Sequence, residues 1–152
     1  MIRFGSHADI PAMLAIGKQV IADAKTLDCE LDPELAAKTI RQALNHQKHA
    51  VFVAEKAGHV VGFFIAMQDQ FWFSKTHYAT DLAFCVAPEH RDQAVWLLRR
   101  FIRWCQEHRI SHIQLGLSTG LDTEGRTGQL YEAHGLKLAG GIYSTTFDSE
   151  AT

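Results

Sequence analysis

The arrangement best suited to chemistry lies in residues 81–104, DLAFCVAPEHRDQAVWLLRRFIRW. An apolar strand runs into Val86-Ala87-Pro88, passes Arg91 and enters an amphipathic helix. The first turn of a helix carries four N–H groups without intrahelical partners, and the dipole adds partial positive charge there. A strand that stops at a proline and hands over to a helix start therefore makes a receptor for a phosphate or pyrophosphate. Arg91 sits where its charge opposes the dipole, a placement that a bound anion would relieve. Other candidates carry less. Cys29, Cys85 and Cys105 are widely spaced with no CxxC, and read as reduced thiols, Cys85 as a small buried hydrophobe. Nine histidines are scattered and none belongs to an HExxH motif, so no metal site is expected.

These residues need a scaffold. A chain of 152 residues, 47% apolar and 21% charged, is expected to form one domain, over residues 1–147, with a short polar tail at 148–152. The net charge of -2 gives no basic excess, so nucleic acid is not suggested as a partner. The longest apolar runs, 60–67 and 82–88, are far short of the roughly 20 residues that span a bilayer. The opening MIRFGSHADIP has no apolar signal core, and the expected location is cytoplasmic.

A strand is predicted at 1–4, then a helix capped by Ser6 or Asp9 with Pro11 in its first turn. Asp32-Pro33-Glu34 starts a second helix with Leu35, Ile40 and Leu44 on its apolar side, ending near His46. Residues 49–55 and 60–67 read as a hairpin around Lys56-Ala57-Gly58, and 76–86 as a further strand. Residues 94–108 form a long helix whose apolar face carries Val95, Leu98, Phe101, Ile102 and Cys105. Trp96 falls on the opposite side with Arg99, Arg100 and Arg103. A strand at 112–117, a helix at 123–134 closed by Gly135 and a last strand at 138–147 complete the chain. Interleaved helices and strands argue for an α/β or α+β layer, a mixed sheet with helices on both faces. Phe71, Trp72 and Phe73 cannot all be buried on one strand face, so at least one should meet solvent, a pocket or a partner.

Three matches, in order, resemble the GNAT superfamily of N-acetyltransferases. Met1-Ile2-Arg3 with Asp9-Ile10-Pro11 is similar to its opening strand and helix. Val86-Ala87-Pro88-x-x-Arg91 resembles its cofactor segment, and Leu130-Tyr131-Glu132-Ala133-His134-Gly135-Leu136 its LYEKxGF motif. The resemblance spans residues 1 to about 147 and implies a GNAT-like sheet of six to seven strands. It implies acetyl-CoA as acetyl donor, with the pyrophosphate on Arg91, Asp92, Gln93, Ala94, Val95 and Trp96, and no metal. The pantetheine arm would pair with the edge of the strand at Phe84, Cys85 and Val86. Ala94 and Trp96 stand at the pattern's two small-residue positions, the second a clear departure.

Acetyl transfer to an amine needs a base for the amine, a donor for the developing oxyanion and an acid for the departing thiolate. The resemblance puts Tyr131 at the acid position and Asp81 at the base position, the latter through a water, with His77 and Tyr78 as neighbouring alternatives. The expected activity is transfer of acetyl to a primary amine of a small molecule or protein, with a homodimer possible. A non-catalytic module with a degenerate CoA site is the alternative that Trp96 raises.

Overall fold

The computed structural model describes residues 1–117 and 125–148. Five strands form one sheet in the order β1-β2-β3-β4-β5: β1 Ile2–Phe4, β2 His49–Lys56, β3 His59–Gln70, β4 His77–Val86 and β5 His112–Gln114. The first three junctions are antiparallel, and β4 runs parallel to β5. Helices α1 (Ile10–Asp23) and α2 (Pro33–Asn45) cover one face, and α3 (Ala94–Glu107) and α4 (Arg126–Ala133) the other.

Side-chain alternation along β2 divides the core. Ala50, Phe52 and Ala54 pack under α3, while Val51 and Val53 pack under α1 and α2. Both faces of β3 are covered too, which explains its unbroken apolar run. Phe52, Phe64, Phe101, Leu97 and Leu98 are fully buried, each contributing about 1.5–3 kcal/mol over exposure.

Local signals set the element ends. The Asp32 carboxylate accepts from the Leu35 N–H at 3.0 Å, and Pro33 occupies the first position of α2. The β2–β3 turn holds Ala57 and Gly58 at φ 51° and 79°, a left-handed pair whose hand suits a two-residue hairpin. Gly135, at φ 88°, ends α4, and the Leu136 N–H reaches back to the Tyr131 carbonyl at 3.1 Å. Arg3 donates to both Asp9 oxygens at 2.8 Å and to Glu55 at 2.7 Å, tying β1 to β2 and to the turn before α1. This bidentate bond holds the Asp9 carboxyl down at about 2.

Several expectations need correction. The sheet has five strands among the described residues, not six to seven, because residues 138–147 are irregular and unpaired there. The predicted strand 112–117 pairs only over His112–Gln114, since beyond it β4 and the chain part. Helix α4 begins at Arg126; Thr123 and Glu124, like tail residues 149–152, lie outside the described residues. Leu35 faces solvent, while Ile40 is buried as expected, with Ala43 beside it and Leu44 partly buried against the same core. The buried stripe of α3 is Leu97, Leu98, Phe101, Trp104 and Cys105, a rotation that leaves Val95 at its margin.

Candidate active site

Strand β4 changes character halfway along. Residues Tyr78, Ala79 and Thr80 pair with both β3 and β5. The register then slips: Ala66 faces Asp81, but Ile65 faces Ala83, so Leu82 is an inserted residue. A bulge of this kind bends the strand and increases its twist. From Asp81 to Val86, β4 pairs with β3 alone among the described residues.

The direction of its backbone groups follows from one bond. Ala87 donates to the Val61 carbonyl at 2.8 Å. Alternate residues of an antiparallel ladder aim their N–H groups at the same neighbour. The N–H groups of Cys85 and Ala83 therefore point to β3, and those of Phe84 and Val86 point to the open side. This divides the three strand-edge positions expected to meet a cofactor. The Cys85 thiol meanwhile packs toward α1, and burial, with a contribution from the charge of Asp81, pushes it up to about 12. That thiol is not a nucleophile near neutral pH.

A six-residue 3-10 segment, Pro88–Gln93, joins β4 to α3, and His90 kinks it with φ -124° and ψ 30°. The sequence had suggested direct entry into a helix. Instead Arg91, Asp92 and Gln93 lie on the 3-10 turn, and Ala94, Val95 and Trp96 form the first turn of α3. No side chain caps that turn. Asp92 leans toward Lys56 at 3.8 Å and accepts from Gln93 at 2.7 Å. Trp96 is 51% exposed and lies against Arg99, whose guanidinium carbon is 5.1 Å from the ring centroid. Its indole is thus directed along the outside of α3, as helical phase predicts.

Asp81 and Tyr131 meet at a residue that the sequence reading passed over. The Gly116 N–H donates to Asp81 Oδ1 at 3.2 Å, and the Tyr131 hydroxyl donates to the Gly116 carbonyl at 3.4 Å. The second distance is long for an O–H···O bond, so that contact holds the phenolic proton loosely. Burial raises the Asp81 pKa above its ordinary value, and the Gly116 bond only partly offsets this. The signal for Gly116 was its place between Leu115 and Leu117, a glycine at the end of a strand.

The base alternatives lie elsewhere. His77 is at the start of β4, four residues and roughly 13 Å of strand from Asp81. Tyr78 stacks on Phe71 at 4.6 Å. The Phe71 ring also stacks on Phe73, while Trp72 is 94% exposed. His108 and His112 have the i, i+4 spacing of a ligand pair, but α3 ends at Glu107 and His112 is in β5. Among the described residues no group of His, Cys, Asp or Glu is placed to hold a metal, and no helix is long and apolar enough to cross a membrane.

A strand splayed from its neighbour, leading into an uncapped helix start, defines the class, and sequence comparison gives it a name. Residues 19–136 match the Acetyltransferase (GNAT) family, and the chain belongs to that family. Its fold is shared with a ribosomal-protein-alanine N-acetyltransferase from Brucella melitensis at 23% identity, TM-score 0.73, over 92% of this chain and 86% of that one. A predicted acetyltransferase from Clostridium acetobutylicum, solved with acetyl-CoA, matches at 18% identity and TM-score 0.74, over 96% and 95%. An aminoglycoside 6'-N-acetyltransferase from Acinetobacter baumannii matches at 14% identity and TM-score 0.72, over 97% of each chain. At these identities the likeness is one of fold. No curated protein matches the chain.

Proposed function

We propose that this protein is an acetyl-CoA-dependent N-acetyltransferase acting on a primary amine of a small molecule or protein by direct attack. The observation that carries the reading is the open edge of β4, with the Phe84 and Val86 N–H groups aimed away from β3 and followed at once by the start of α3. Two features test the fit of the cofactor. Ala94 adds only a methyl to the first turn of α3, and the Trp96 ring lies along the outside of the helix against Arg99. Neither side chain covers the N–H face of that turn, where the Ala94 N–H is already bonded to the Arg91 carbonyl and the others are the donors offered to a pyrophosphate. The residues present fit CoA.

When bound, acetyl-CoA supplies an activated acetyl group and a thiolate leaving group. The chain's own groups divide the remaining work. Phe84 and Val86 offer backbone donors to the pantetheine arm and the thioester oxygen. Arg91, at the mouth of the turn, adds charge for the pyrophosphate; Asp92 opposes it, but its charge is turned toward Lys56. Asp81 takes a proton from the incoming ammonium through a water, a task for which a raised pKa is suited. The Tyr131 hydroxyl gives its proton to the thiolate. Gly116 lies between acid and base and contacts both.

Acetyl-CoA titration by calorimetry and thermal shift tests the reading. Saturation near 100 times the dissociation constant stabilises the fold by about 2.7 kcal/mol. An amine panel with thiol release as readout then identifies the acceptor class. No binding at millimolar acetyl-CoA sinks the reading in favour of a non-catalytic module on the same fold.

A further inference from the structure

Helix α3 carries Arg99, Arg100 and Arg103, and their surroundings differ. Arg103 pairs with Glu107 at 3.0 Å and Arg100 approaches the same carboxylate at 3.5 Å. Arg100 also lies over the Phe52 ring at 4.8 Å. Arg99 has no carboxylate within ion-pair distance among the described residues. It is nonetheless held in place from two elements. Its guanidinium lies on the Trp96 ring, and its Nε donates to His134 Nε2 at 3.3 Å, just past α4. His134 Nδ1 lies 2.8 Å from the Leu130 carbonyl, which fixes the proton on Nδ1 and leaves Nε2 to accept. A half-exposed indole beside a positioned, unneutralised guanidinium matches a purine ring carrying a phosphate. An indole has two faces, and Arg99 covers one. Trp96 is also in the first turn of α3, the turn that would take the pyrophosphate.

We propose that Trp96 and Arg99 form the subsite for the 3'-phosphoadenosine end of CoA, with adenine stacked on the indole and the 3'-phosphate on the guanidinium. This rests on the acetyl-CoA reading above. It assigns the departure from the family's small residue a binding role rather than an obstructive one, and makes His134 the positioning residue for Arg99.

The test is calorimetry with CoA, 3'-dephospho-CoA and 4'-phosphopantetheine, on the wild type and on Trp96→Ala and Arg99→Gln, with melting temperature as a check on folding. The wild type should bind CoA about tenfold or more tightly than 3'-dephospho-CoA, and Arg99→Gln should erase that preference. Trp96→Ala should weaken CoA binding about tenfold, the scale of one base–aromatic stack, and leave 4'-phosphopantetheine binding unchanged. Quenching of tryptophan fluorescence by CoA should be largely lost in Trp96→Phe. If the wild type binds CoA and 4'-phosphopantetheine alike, or Trp96→Ala binds CoA as tightly or more tightly, the subsite is overturned while the acetyl-CoA reading stands. If the wild type binds none of the three, both fall.

Discussion

The two halves of β4 have opposite surroundings. Tyr78, Ala79 and Thr80 have a strand on each side; among the described residues, 81–86 have one only on the β3 side. Up to Thr80 the backbone is consumed by the sheet. Beyond it, alternate N–H groups are presented to whatever enters the gap. The change is brought about by a single inserted residue, Leu82, and by the Asp81–Gly116 bond at the fork. On the proposed reading, one strand serves as core and as binding edge, and Asp81, the proposed base, stands at the boundary between them.

The sharpest way to break this contrast is a pair of prolines. Cys85→Pro removes an N–H that β3 uses and orphans a carbonyl, a loss of about 1–3 kcal/mol before any strain. Val86→Pro removes one aimed at the gap. Urea unfolding should show a large drop for the first and a small one for the second, while calorimetry shows acetyl-CoA affinity lost in the second. Similar unfolding of both would mean that both residues serve the ladder. Next, Tyr131→Phe should lower kcat about a hundredfold with acetyl-CoA affinity unchanged. Unaltered turnover would remove Tyr131 as the acid.

Asp81→Asn should cost less turnover, because Asp81 acts through water, and should raise the melting temperature at pH 7. The sign follows from the raised pKa. The folded protein holds the Asp81 proton where the unfolded chain, near 3.8, has lost it. Stability on this account falls as pH rises through that window and stays lower above it; asparagine removes the penalty and can still accept from Gly116. The smallest effect on the gap comes from the far edge of the sheet. Asp9→Asn should destabilise the fold by about 1–3 kcal/mol at neutral pH without changing acetyl-CoA affinity. In the wild type this carboxylate's stabilisation is complete above about 3.8 and lost as pH falls through about 2. Parallel losses of stability and affinity in Asp9→Asn would mean that the two edges are coupled.

The contrast was only half legible in the sequence. The Asp32-Pro33 start, the Ala57-Gly58 turn and the Gly135 stop are local devices, and they fell where expected. So did the outward phase of Trp96, because helical periodicity is a property of neighbours in sequence. What depended on distant residues did not show. No local pattern marks Leu82 as an insertion against β3, or Gly116 as the residue between Asp81 and Tyr131. Residues 138–147 have strand-like composition, yet their hydrogen bonds would need a partner the described sheet does not offer. The Arg3–Asp9–Glu55 cluster joins positions more than fifty residues apart, and Arg100 on the Phe52 ring escaped because arginine on a helix reads as solvated.

Gly62 draws these threads together. It faces the end of β4, and a methyl there would come within 3.2 Å of the Cys85 carbonyl oxygen and of Val86 Cγ2, and 3.3 Å of Leu97 Cδ1 on α3. Those neighbours belong to the strand edge and to the helix start at once. The spacing between the two ends of the crevice is thus gauged by an atom that is missing, on a residue that would never touch a ligand. On the acetyl-CoA reading, adding that methyl should retune cofactor affinity by pushing strand edge and helix start apart by a few tenths of an ångström.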